Sequence, residues 1–192
     1  MIAKTLTFIT HLLNQELKMN FGFKDDRVVA SSLVNPDGSM PNNAENKIVI
    51  SLVNLEHETV MKSMGNYLTD GGKSYAKVAP SVKLNLYVLI SANYDSSNYI
   101  EATKILSFII GVLQANPYFT RQTNPELQAP VEKLTFEIFN LPINELSHIW
   151  SGIGAKYVPS IIYKVRMLTI QEDKIKKEIP GIGGLSGNTK PN

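Results

Sequence analysis

The chain has 192 residues, 43% of them hydrophobic and 19% charged, which suits one globular domain burying on the order of 70% of its unfolded surface. A formal charge of +2 without a lysine or arginine block supplies no phosphate-tracking stripe, so neither nucleic acid nor a charged membrane surface is an expected partner. Cysteine is absent, which excludes disulfides and thiolate chemistry and fits a reducing compartment, and nothing approaches the ~20 apolar residues of a membrane span.

Ile2, Leu6, Ile9, Leu13 and Leu17, with Leu12 alongside, recur at helical spacing and predict a first helix over 2–19. This opening is amphipathic after Met1-Ile2-Ala3-Lys4, and Asn14-Gln15 interrupt it, so it does not read as a secretory signal. Arg27 to Val34 reads as a strand, followed by a loop dense in turn formers, NPDGSMPNNAEN. Lys47 to Glu56 is apolar on both faces, as a central strand would be, and is expected to form a long hairpin with the strand before it. Residues 57–80 are polar and glycine-bearing and read as an irregular surface excursion with a binding or assembly role, or as a mobile one.

From Val82 to Ala92 the alternation is clean. Val82, Leu84, Leu86, Val88 and Ile90 share one face, while Lys83, Asn85, Tyr87 and Ser91 mark the other. Asn98 and Glu101 suggest a capping box. The helix behind them runs to about Ala115 with Ile105, Leu106, Ile109, Ile110 and Leu113 as its buried stripe, and Pro117 closes it. After the polar loop TRQTNPELQAP, Val131 to Phe139 is a strand with Leu134, Phe136 and Ile138 on one side.

The stretch Leu141 to Ile170 reads as a short helix, a glycine loop and a long strand. Asn144 is the expected cap, Leu146, Ile149 and Trp150 fall on one helical face, and Gly152 and Gly154 end the helix. In the strand, Ile161, Tyr163, Val165 and Met167 point one way, and Ile162, Lys164, Arg166 and Leu168 the other. Residues 171–192 hold three glycines within four positions and read as a flexible tail or exchange arm, distinct from a domain over 1–170. The elements together predict an α+β fold: a mixed or antiparallel sheet of about five strands with helices packed on one side.

No catalytic constellation can be assembled. His11, His57 and His148 lie far apart, in no metal-ligand spacing. The run Asp70-Gly71-Gly72-Lys73-Ser74 ends like a phosphate-binding loop, but Tyr67 occupies the position of its first glycine. The tail GIGGLSG has neither the strand before it nor the helix after it that a dinucleotide fingerprint needs. Glu132 and Glu137 sit at odd spacing on one strand and so point to opposite faces. The expectation is a protein without enzymatic activity and without a cofactor or metal. Trp150 reads first as a core anchor and second as an interface anchor. Lys164 and Arg166 read as a solvated strand face, or as a surface meeting an acidic neighbour.

In their order and spacing these segments resemble the tail-terminator, or cap, proteins of extracellular contractile injection systems of the antifeeding-prophage and virulence-cassette type, relatives of contractile phage tails. The likeness covers about residues 1–170. It rests on Ile149-Trp150, Pro159-Ser160, Tyr163 and Val165-Arg166, on the Pro-led strand PSVKLNLYVLISAN, and on the helix ending in Leu113, Asn116 and Pro117. Ile149 stands where the family has leucine, and the tail has no counterpart. The resemblance implies a non-enzymatic ring, usually of six copies, that ends polymerisation of inner tube and sheath and joins them. It would assemble in the cytoplasm and then belong to a released or cell-associated particle. Trp150, Tyr157, Lys164, Arg166, Lys174, Lys176 and Lys177 are the candidate interface residues. The reading from another class is a stand-alone protein-binding domain that uses the 57–80 loop and the 35–46 turn.

Overall fold

The computed structural model describes residues 1–58, 67–70, 74–78, 83–169 and 175–180, with the backbone alone given for 67–70, 74–78 and 175–180. The predicted first helix forms as α1 (Ile2–Phe21). It stops at Gly22, whose φ of 68° is left-handed and whose N–H donates to the Lys18 carbonyl at 3.0 Å. Then follow β1 (Val28–Ala30), β2 (Lys47–His57), β3 (Tyr67–Asp70), β4 (Ser74–Val78) and β5 (Lys83–Asn93). Helix α2 (Tyr99–Ala115), β6 (Tyr118–Thr120), β7 (Val131–Ile138), α3 (Ile143–Ile153), β8 (Ser160–Thr169) and β9 (Ile175–Pro180) complete the order.

The main sheet has six strands in the order β1-β2-β5-β8-β7-β6, so the fold is α+β with a mixed sheet, one strand wider than the sequence implies. All its pairings are antiparallel except β1 with β2. The expected hairpin of these two strands is therefore not formed: Val28 lies beside Ile48 in parallel register. The reason is a side chain of α1. Buried Asn14 accepts from the Arg27 and Val28 N–H groups at 2.8 and 2.9 Å and donates to the Val28 carbonyl at 2.8 Å. Satisfying these backbone groups fixes the course of the segment, because buried main-chain polar groups left unpaired are costly. Beyond Ile50 the outer margin of β2 has no paired strand among the described residues, and a bulge falls between Leu52 and Asn54.

Within residues 57–80, read as irregular from the sequence, β3 and β4 form an antiparallel pair, and β9 joins β4 to make a second, three-stranded sheet. In sequence β4 precedes β5 and β9 follows β8, so the strands that pair in the second sheet neighbour in the chain two that pair in the first. Strand β6, just before the expected polar loop, has no counterpart among the predicted elements; Phe119 at its centre is buried edge-on between Phe8 and Phe136.

Two cores form, one on each side of the main sheet. On the first side α1 and α2 cover the strands. Ile9, Leu13 and Leu17 of α1 and Ile105, Ile109 and Leu113 of α2 meet Ile48, Ile50, Leu86, Val88, Ile90, Tyr163, Val165 and Met167. These are the faces that the period-two and helical patterns assign inward. On the second side Val49, Leu89 and Ile162 pack with Trp150 of α3. The expectation that the helices share one side thus holds for α1 and α2 and fails for α3, because β2, β5 and β8 each carry apolar residues on both faces near one end.

Candidate assembly interface

Helix α3 begins at Ile143 after Pro142, with no side-chain cap, so Asn144 lies inside the first turn instead of before it. Nor does Asn98 make a side-chain cap at the start of α2. Gly154, at φ 75°, ends α3 and turns the chain towards β8, whereas Gly152 is still helical. Leu146, Ile149 and Ile153 join Trp150 in packing on the sheet. Trp150 is 4% exposed, and its Nε1 has no hydrogen-bond partner. Tyr157, in the loop after α3, meets the indole edge-on at a ring separation of 5.4 Å while remaining 63% exposed. Of this aromatic pair, Trp150 belongs to the second core and Tyr157 presents the surface. Ile143, 83% exposed, continues that surface along α3.

Helix α3 covers only part of the second side. Beyond it the strands carry a polar field whose members are set by register. Tyr87 stands beside Lys164, and Lys164 beside Glu137. One step further along the strands, Asn85 stands beside Arg166, and Arg166 beside Thr135. Arg166 donates to the Glu137 carboxylate at 2.8 Å. The Tyr87 hydroxyl donates to Glu56 at 2.7 Å, and Asn85 Nδ2 donates to Glu58 at 3.1 Å. Chiefly through that bond to an anion, and secondarily through burial, the Tyr87 phenol is pushed up to about 12. The Lys164 ammonium stands 5.8 Å from the Tyr87 ring centroid and that of Lys133 4.8 Å from the Tyr118 ring.

A cleft of about 410 Å³ opens in this field, lined among others by Glu58, Lys83, Asn85, Lys133, Lys164 and Arg166. The structure thus gathers Lys164 and Arg166 on one surface and sets Trp150 and Tyr157 at the neighbouring helix. Lys174 lies outside the described residues, and for Lys176 and Lys177 of β9 only the backbone is given. Lys133 was missed in the sequence reading. Its signal was present, because Lys133, Thr135 and Glu137 alternate with Leu134 and Phe136 along one predicted strand.

The three histidines do not converge. His11 bonds Glu126 at 2.7 Å on the far side of α1, while His57 and His148 are exposed on β2 and α3. Among the described residues no group of three or more His, Asp or Glu side chains could hold a metal ion. Nor is any described helix long and apolar enough to cross a membrane.

The model of one protein family, the Pvc16 N-terminal domain, matches residues 4–183. The chain belongs to the Pvc16 N-terminal domain family. No curated protein matches it. Two solved structures resemble this Pvc16 N-terminal domain along nearly its whole length. The sheath/tube terminator of PVC, an extracellular contractile injection system, in its extended state, aligns at a TM-score of 0.55 and 13% identity over 96% of the chain. The tube-terminating cap of the anti-feeding prophage aligns at 0.55 and 16% identity over 94%. The chain spans 63% and 61% of those two chains. The family is the one whose likeness the Trp150 and Pro159-to-Arg166 segments carry in the sequence.

Proposed function

We propose that this protein is a structural terminator of a contractile injection particle, with no catalytic role. In this reading copies of the chain close into a ring, six where the tube has sixfold symmetry. The ring seats on the last layer of inner tube and sheath, ends their polymerisation and joins them. A ring of equivalent subunits gains from engaging many sites at once, while offering no copy of the site it fills. The observation that carries the reading is membership of the Pvc16 N-terminal domain family together with a fold shared with two terminating proteins over more than nine-tenths of the chain.

The interface assigned to this role comprises Tyr157, Lys164, Arg166 and the lysines Lys174, Lys176 and Lys177, with Trp150 acting through its grip on Tyr157. Residues 171–192 act as an exchange arm. The strand Ile175–Pro180, paired with β4 inside the chain, is the segment that an exchange between neighbours would hand over. Assembly takes place in the cytoplasm, and the protein then remains with the particle.

Co-production with the tube and sheath proteins of its own gene neighbourhood tests the reading. Negative-stain images are expected to place the protein at one end of particles of uniform length, and omitting it is expected to leave length unregulated. Uniform particles without it, or its absence from their ends, would sink the proposal. Removing 171–192 tests the arm separately, because unchanged capping would dismiss it. The half-covered second side equally suits a stand-alone protein-binding domain. That alternative predicts a monomer that does not travel with tube or sheath.

A further inference from the structure

We infer that the cleft between β5, β8 and β7 is a docking site for an acidic, extended segment of a partner polypeptide. The first ground is charge. Lys83, Lys133, Lys164 and Arg166 line the cleft against one lining carboxylate, Glu58. Arg166 is held by Glu137, which leaves its guanidinium oriented over the face. Lys133 and Lys164 have aromatic rings beneath them and no carboxylate within ion-pairing distance among the described residues. An ammonium held over a ring face keeps its outer side for an incoming anion. Side chains two apart on a strand lie roughly 7 Å apart on the same face, so Lys164 and Arg166 match alternate residues of an extended chain.

The second ground separates a polypeptide from a polyphosphate. Asn85, 4% exposed at the floor of the cleft, uses its Nδ2 on Glu58, while its Oδ1 meets no donor. An orphan acceptor calls for an N–H, which a peptide backbone supplies and a phosphodiester does not. Glu58, Glu56 and Glu137 also stand in or beside the cleft, where they repel a continuous run of phosphates while leaving room for spaced carboxylates. The inference rests on the interface assigned above to Lys164 and Arg166, but not on capping. Particle length reads the capping, and peptide binding reads the cleft.

The test uses the full chain and a short fluorescein-labelled peptide of alternating glutamate and glycine, followed by fluorescence anisotropy. Its glutamine counterpart, inorganic polyphosphate and single-stranded DNA serve as comparison ligands. The acidic peptide is expected to bind and to weaken with salt, since exposed charges are screened beyond about 8 Å at physiological ionic strength. Lys133→Glu with Lys164→Glu is expected to weaken binding roughly tenfold or more, while Lys104→Glu on the exposed side of α2 leaves it unchanged. Lys164→Gln, which keeps the stem over Tyr87, guards against misfolding and is expected to weaken binding by a smaller factor. Equal loss in Lys104→Glu, tighter binding of polyphosphate or DNA than of peptide, equal binding of the glutamine peptide, or no binding would each overturn the inference. So would self-association of the free protein that disappears in the double variant, since the face would then be occupied by a second copy.

Discussion

The two sides of the main sheet are built from the same strands and finished differently. On the first side α1 and α2 close over an apolar layer running from Phe8 to Met167, in which Thr5 and Asn14 are engaged inside the protein while the Tyr163 hydroxyl is buried without a partner. On the second side α3 covers Val49, Leu89 and Ile162 and then stops, leaving Tyr87, Lys164 and Arg166 in a field of charge. The first side supplies the stability that lets the second remain incomplete. A surface whose cations have carboxylates only in part is suited to meeting another molecule, and a core that buries its aliphatics is not.

Substitutions on the two sides should therefore differ in kind. The largest effect is expected from Leu13→Ala, which empties a fully buried position between α1 and the sheet. Urea unfolding should register a loss of about 3 kcal/mol. Asn14→Ala should follow at about 2 kcal/mol, because it strands the Arg27 and Val28 amides and the Val28 carbonyl together. A first-side change that cost nothing would break the comparison at once.

Alkaline pH sharpens it, because elevated tyrosines lie on both sides, with burial raising Tyr94 as well as Tyr163 at the first core. Tyr163 is pushed up to about 12 by burial in the first core, and Tyr87 to about 12 by its bond to Glu56 on the second. The unfolded chain releases these protons near 10 while the folded chain retains them. The folded state then binds more protons than the unfolded one, and stability falls as pH rises from about 10 to about 12. Absorbance titration near 295 nm in Glu56→Gln should bring Tyr87 down towards its ordinary value and leave Tyr163 where it is. The smallest effect is expected from Lys133→Ala or Lys164→Ala, each within about 0.5 kcal/mol of the parent in the same urea experiment. A large loss in either would mean that the charged field holds the fold together and is not kept for a partner.

The difference between the sides also governs what could be read from the sequence. Helices α1 and α2 and strands β5, β7 and β8 each carry a regular apolar stripe towards the first side, so their periodicity announces them. The α+β class and the family resemblance follow from those same stretches. What escaped depends on contacts between distant residues. Asn14 reads as an interruption of a helix, yet it is the group that seats β1, and no local pattern couples residue 14 to residue 28. Phe119 lies among polar neighbours, and its strand exists because Phe8 and Phe136 enclose it. Strand β3 pairs locally with β4, but β4 pairs with β9 across about a hundred positions, beyond the reach of any window of neighbours. Of the surface residues, Lys164 and Arg166 were visible as cations on a strand. The cleft they share with Lys133 needed the register of three strands.

The margin of β2 beyond Ile50 bears on how this protein is kept apart from its own copies. Bare strand borders recruit stray strands, and a straight one would invite chains to stack side by side during synthesis. The offset at Leu52–Asn54 spoils the even ladder of donors and acceptors that such recruitment needs, and Glu56 adds a negative charge just beyond it. A second copy is thereby hindered from adding itself as a further strand along this border.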